Sequence, residues 1–158
     1  MKTIELVAAI LENYANRGTF KGFSRGPIRT GMARFKILSH QDRFFNLILD
    51  TRKKTLRFSV VLPEVPANSS MYREFKKFVE SRHSETLPDH RRIDAKKATV
   101  RPSNRSGNVA LTPTVKNRDY DYATRKLIHL VHEIYPVFLR EAHYDYMIKT
   151  FNLDPEHL

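Results

Sequence analysis

The sequence predicts an α+β domain over residues 1–158: an antiparallel sheet, a three-stranded meander plus a hairpin, covered on one face by helices in the order α-β-β-β-α-β-β-α. Three observations carry this. Runs 32–38 and 55–62 alternate apolar and polar residues, and run 44–50 between them is almost continuously apolar, as strands with one buried face require. Their connections, SHQDR and DTRKK, are short enough only for antiparallel hairpins. Finally, stretch 120–140 keeps a helical period longer than any other part of the chain.

In chain order, residues 3–16 form the first helix, with Ile4, Val7, Ala8 and Leu11 on one face and Gly18 as its stop. Leu6 and Ile10 lie off that stripe. A basic glycine-rich loop follows at 17–31, holding Gly18, Gly22, Gly26 and Gly31, with Phe20 and Phe23 between its cations, where one of them pins the loop against the core or both serve a flexible nucleic-acid arm. It is no phosphate-cradling loop, because no strand precedes it and no helix starts after it. In the meander, Ala33, Phe35 and Ile37 point inward, as do Leu56, Phe58, Val60 and Leu62, while Arg34, Lys36 and Arg57 point from the open face. Asn68, Ser69 and Ser70 offer caps for a helix to about His83, striped by Phe75, Phe78 and Val79. KATVR and NVALTPTV read as a hairpin around PSNRSG, and Pro113 implies that its second strand lies at an edge or ends early.

The long helix places Tyr120, Ala123, Leu127, Leu130, Val131, Ile134 and Phe138 in one arc. Ile128, Tyr135 and Leu139 widen that stripe beyond what one sheet covers, so a second layer or a second copy of the protein is required there. Pro136 removes one helical hydrogen bond and predicts a kink near Ile134. A short helix over HYDYMIKTFNLDP closes the chain.

Lys and Arg outnumber Asp and Glu by 28 to 17, a net charge of +11. The excess is clustered. Residues 17–54 hold ten cations against Asp42 and Asp50, and residues 82–105 hold seven against Glu85, Asp89 and Asp94. Such clusters attract polyanions, nucleic acid among them. There is no cysteine, which excludes disulfides and thiolate zinc sites. The acids Glu5 and Glu12 in the first helix do not fit a signal peptide, and no apolar run spans a bilayer, so the expected setting is soluble and cytoplasmic.

Chemistry-bearing motifs are scarce. His129, His132 and Glu133 share one side of the long helix at metal-binding spacing, but opposite the core arc, where an exposed polar face explains them. No G-x-S-x-G elbow occurs, and Asp119 and Asp121 are accounted for as helix caps. No catalytic residue, metal or cofactor is assigned, and the chain is read as a non-enzyme.

The order of elements resembles that of type III secretion chaperones and their relatives, small dimeric proteins that hold extended client segments. The likeness is one of topology across most of the chain, without a shared motif. It implies a homodimeric, chaperone-like or adaptor module that binds a protein client, for which Ile128, Tyr135 and Leu139 are the contact candidates. The alternative is a nucleic-acid binder, with Arg17, Lys21, Arg25, Arg29, Arg34 and Lys36 on phosphates and Phe20 or Phe23 stacked on bases.

Overall fold

The computed structural model describes residues 2–40, 42–139, 143 and 146, apart from the side chain of Tyr135. The α+β architecture is as expected, with one strand added. Helix α1 (Lys2–Asn16) is followed by strands β1 (Gly22–Arg25), β2 (Met32–Leu38), β3 (Phe44–Asp50) and β4 (Thr55–Leu62). Then come helix α2 (Ser70–Ser81), strands β5 (Ala98–Arg105) and β6 (Asn108–Val115), and helix α3 (Tyr120–Glu133), which runs on as a π-helix over Ile134–Leu139. The strands form a six-stranded sheet in the order β1-β2-β3-β4-β6-β5, antiparallel throughout.

Alternation sorts the side chains. Phe35, Ile37, Phe45, Leu47, Leu49, Leu56, Phe58, Leu111 and Val100 are buried on the side that the helices cover. Every residue of the α3 arc is buried against them, from Tyr120 to Phe138. The second apolar side of α3 is met inside the chain. Helix α1 packs on α3, Ile10 is buried whereas Leu6 stays exposed, and Tyr14, Phe20 and His132 form a line of ring contacts from α1 to α3.

Several expectations need correction. The loop at 17–31 is a strand at its centre: Gly22–Arg25 pairs with Phe35–Leu38 as β1 and carries Phe23 onto Phe35, with ring centroids 5.8 Å apart. Val60 does not point inward. The β4–β6 register shifts between Phe58 and Leu62, Val60 sits at φ 51°, and the extra residue of this bulge turns Val61 into the core instead. Pro113 does not mark an edge, since β6 lies between β4 and β5. Val115 N–H donates to Lys54 O, so the odd-numbered residues of β6 turn their N–H toward β4, and Pro113 leaves one ladder position there without a donor. The β5–β6 turn is also tighter than PSNRSG. It is the pair Ser106 and Gly107, both at positive φ, a geometry that follows the twist of the strands.

Pro136 does act on its helix. The α-helical pattern ends at Glu133, the N–H of Ile134 reaches Val131 O, and the chain widens into the π turn. The predicted closing helix lies outside the described residues, apart from His143 and Tyr146.

Candidate functional site

The face of the sheet that no helix covers is built by register. Arg34 of β2 stands opposite Ile48 of β3, and Ile48 opposite Arg57 of β4. Phe58 pairs with Leu111, which sets Arg57 beside Thr112, and Thr112 pairs with Arg101 of β5. One row therefore crosses the sheet from β2 to β5 as Arg34, Ile48, Arg57, Thr112, Arg101. Its arginines sit two strands apart, about 10 Å between backbones. The next row begins Ser24, Lys36, Asn46, Ser59. Beyond it Phe44, 60% exposed, stands on the same face opposite Leu38. Lys36 Nζ lies 5.2 Å from the centre of the Phe44 ring.

One end of this face continues into a basic rim. The turns there are tied together: Thr51 N–H and Oγ1 both donate to Gly31 O, Val115 N–H donates to Lys54 O, and Lys116 N–H donates to Lys97 O. Gly31, at φ 78°, is required at this junction, because a Cβ would come within 2.8 Å of Thr51 Oγ1. These ties gather Arg29, Arg52, Lys53, Lys54, Lys97 and Lys116 along one edge, all exposed. The nearby Asp50 is committed to its own turn, accepting from the N–H groups of Arg52 and Lys53.

Among the described residues, none of Arg34, Arg57, Arg101, Arg105, Arg29, Arg52, Lys53 or Lys54 has an ion-pair partner. The two basic clusters of the sequence thus meet on one face, with Arg34 and Lys36 from the first and Arg101 and Arg105 from the second.

The other nominated residues are placed elsewhere. Phe20 is 6% exposed and Phe23 is stacked on Phe35, so neither offers a ring face to a base. Both pin the β1 segment to the core. Arg17 lies over the Tyr14 ring at 4.9 Å, and Lys21 is paired with Asp42. Arg25 points to the helix side and forms two hydrogen bonds to Glu5. That contact holds the Glu5 carboxyl below its ordinary pKa and the guanidinium above its own. Of the proposed phosphate contacts, Arg29, Arg34 and Lys36 remain on the open face and its rim.

Two of the three protein-contact candidates are enclosed by their own chain. Ile128 is 2% exposed and Leu139 0%; the side chain of Tyr135 lies outside the described residues. Ile128 lies where α1 and the Phe20 connection meet α3.

Glu133, expected in solvent, is mostly buried, accepting from Arg82 Nη1 at 2.9 Å with His129 Nε2 at 3.3 Å. His132 Nδ1 lies 2.8 Å from Ile128 O. Among the described residues no three His, Asp or Glu side chains converge to hold a metal ion, and no helix is long and apolar enough to cross a membrane. Sequence reasoning missed Phe44, Arg101 and Arg105 as site residues. Strand alternation could have placed Phe44 outward, but pairing β5 with β6, and β6 with β4, needed the three-dimensional register. Compared with known proteins, the chain matches no family model, no curated protein and no solved structure.

Proposed function

We propose that this chain is a nucleic-acid-binding protein that lays a single strand across the open face of its sheet. The observation that carries the reading is the row Arg34, Arg57, Arg101, continued by Lys36 and the rim, with no carboxylate paired to it among the described residues. A solvated face usually mixes charges of both signs. Here the acids are spent elsewhere, which leaves a field suited to phosphates.

Phe44 adds what a merely basic surface lacks, an exposed ring flanked by a cation, on which a base can stack. Asn46, Ser59 and Ser103 on the same face supply hydrogen-bonding groups of both kinds. Unpaired bases present both π-faces and edges to such a platform, whereas duplex bases present only groove edges. The topological likeness to client-holding chaperones is compatible with an extended ligand on a sheet, but the side chains here select an anionic one.

The test is fluorescence anisotropy of a labelled 20-nucleotide strand at low salt, with a duplex of the same sequence as competitor. Wild type should bind, the duplex should compete less well than the unlabelled strand, and R34A/R57A/R101A should bind at least about tenfold more weakly. Absence of binding at low salt, or a triple variant that binds as wild type does, contradicts the reading.

A further inference from the structure

The helix-covered side of the sheet holds a feature that the open face does not use. Where β2, β3 and β4 meet the end of α3 there is a cavity of about 280 Å³. Packed interiors hold few voids larger than a water molecule, and this one has room for about ten methylene-sized groups at interior density. Its walls are mostly apolar, Ile37, Phe45 and Phe58 from the sheet, Ile128 and Val131 from α3 and Phe20 from the α1–β1 connection, with Thr19 and Ser39 beside them. It opens where the helix widens around Pro136.

Two imidazoles stand at the mouth, and a backbone carbonyl orients each. His40 Nε2 lies 2.6 Å from Gly18 O, and His132 Nδ1 lies 2.8 Å from Ile128 O. A carbonyl only accepts, so each of these nitrogens carries a hydrogen. The other nitrogens, Nδ1 of His40 and Nε2 of His132, have no hydrogen-bond partner among the described residues. Among the described residues no Asp or Glu lines the cavity. Asp42, two positions from His40, is paired with Lys21, and Glu133, which lines a neighbouring groove with Ile128 and His132, is already compensated by Arg82 and Arg91.

We propose that this cavity binds a small monocarboxylate with an unbranched or aromatic apolar body, the body seated among Phe45, Phe58 and Ile128 and the carboxylate facing the two imidazoles. The apolar walls fix the body. The oriented rings fix the head group: with one N–H of each ring turned to a carbonyl, the other nitrogen donates only when the ring takes up a proton, so the carboxylate is bound together with a proton as a charge-assisted hydrogen bond, and a cationic head meets like charge.

The test uses decanoate, decan-1-ol and decylamine with the full chain, below the micelle concentration of each, by calorimetry and by methyl NMR. Decanoate should bind at one site per chain and shift the methyl resonances of Ile37, Ile128 and Val131. In buffer at about pH 5.5, below the ordinary imidazole range, it should bind at least about tenfold tighter than decanol, and decylamine more weakly still. The H40Q/H132Q variant should bring decanoate and decanol to within about threefold of each other while both still bind. Val131→Phe should fill the space and abolish binding of both; if it does not fold, the wild-type methyl shifts decide. Saturating decanoate that leaves those three residues unshifted overturns the site. Equal affinity for decanol in wild type overturns the assignment of the carboxylate.

Discussion

The two faces of the sheet treat charge in opposite ways. On the helix side both signs of charge are mixed: Glu133 is paired with Arg82, Asp121 with Arg125, Asp89 with Arg92 and Glu5 with Arg25, and Glu12 and Glu80 stand on the same helices without an ion pair among the described residues. On the open face Arg34, Arg57 and Arg101 stand in one row with no such partner among the described residues. The net charge of +11 is therefore not a uniform property of the surface. The helix side mixes both signs while the row on the open face is cationic alone, and that row is the surface proposed for an external anion. Substitutions on the two faces should separate stability from binding.

The largest effect is expected on the covered face. Phe58 is buried and its ring lies 5.1 Å from that of Phe45. Phe58→Ala should lower unfolding free energy by about 3–5 kcal/mol in denaturant titration, and nucleic-acid affinity measured under folded conditions should stay close to wild type. Next comes Glu133→Ala, which strands the mostly buried Arg82. A loss of about 2 kcal/mol is expected in the same titration.

On the open face the order inverts. The R34A/R57A/R101A chain should keep its melting behaviour, since exposed substitutions stay within about 0.5 kcal/mol each, but it should lose at least about tenfold in affinity. Phe44→Ala should lower single-strand affinity by about fivefold or more, as loss of one stacked base does, and leave duplex affinity unchanged.

The smallest effect belongs to the pair that ties β1 to α1. Arg25 holds the Glu5 carboxyl below its ordinary value of 4.5. The stabilisation is thus complete above that pH and fades as the pH falls through the lower, folded value. Wild type and Glu5→Gln should differ slightly at neutral pH in melting temperature, and their curves should converge in acid.

Much of the architecture was legible in the sequence, because strict alternation in MARFKIL and TLRFSVVL and the arc from Tyr120 to Phe138 each admit one secondary structure. What misled were places where tertiary pairing overrides local pattern. Gly22–Arg25 has too few residues and too much glycine to read as a strand, and forms one only because β2 offers an edge. Pro113 reads as an edge signal, yet a single missing donor is tolerated in the middle of the sheet.

The site was legible by halves. Arg34, Lys36 and Arg57 were placed outward by period alone, whereas Arg101 joins them only through the crossing that puts β6 beside β4. Phe20 and Phe23 admitted two readings, pins on the core or stacking rings, because aromatic residues among cations signal the same thing in both, and the structure places them against the core. The apolar surplus beside the arc of the long helix admitted two covers, another helix of the chain or a second copy, and the structure shows α1 packed on α3 with Ile128 and Leu139 buried.

The most direct test of the central claim is the salt dependence of single-strand binding, measured for wild type and for R34A/R57A/R101A over the same range of ionic strength. Each lost phosphate contact removes about 0.7 from the slope of log affinity against log salt, so the variant should be shallower by about 2. Equal slopes for the two proteins would mean that phosphates do not meet the arginine row, and would contradict the account.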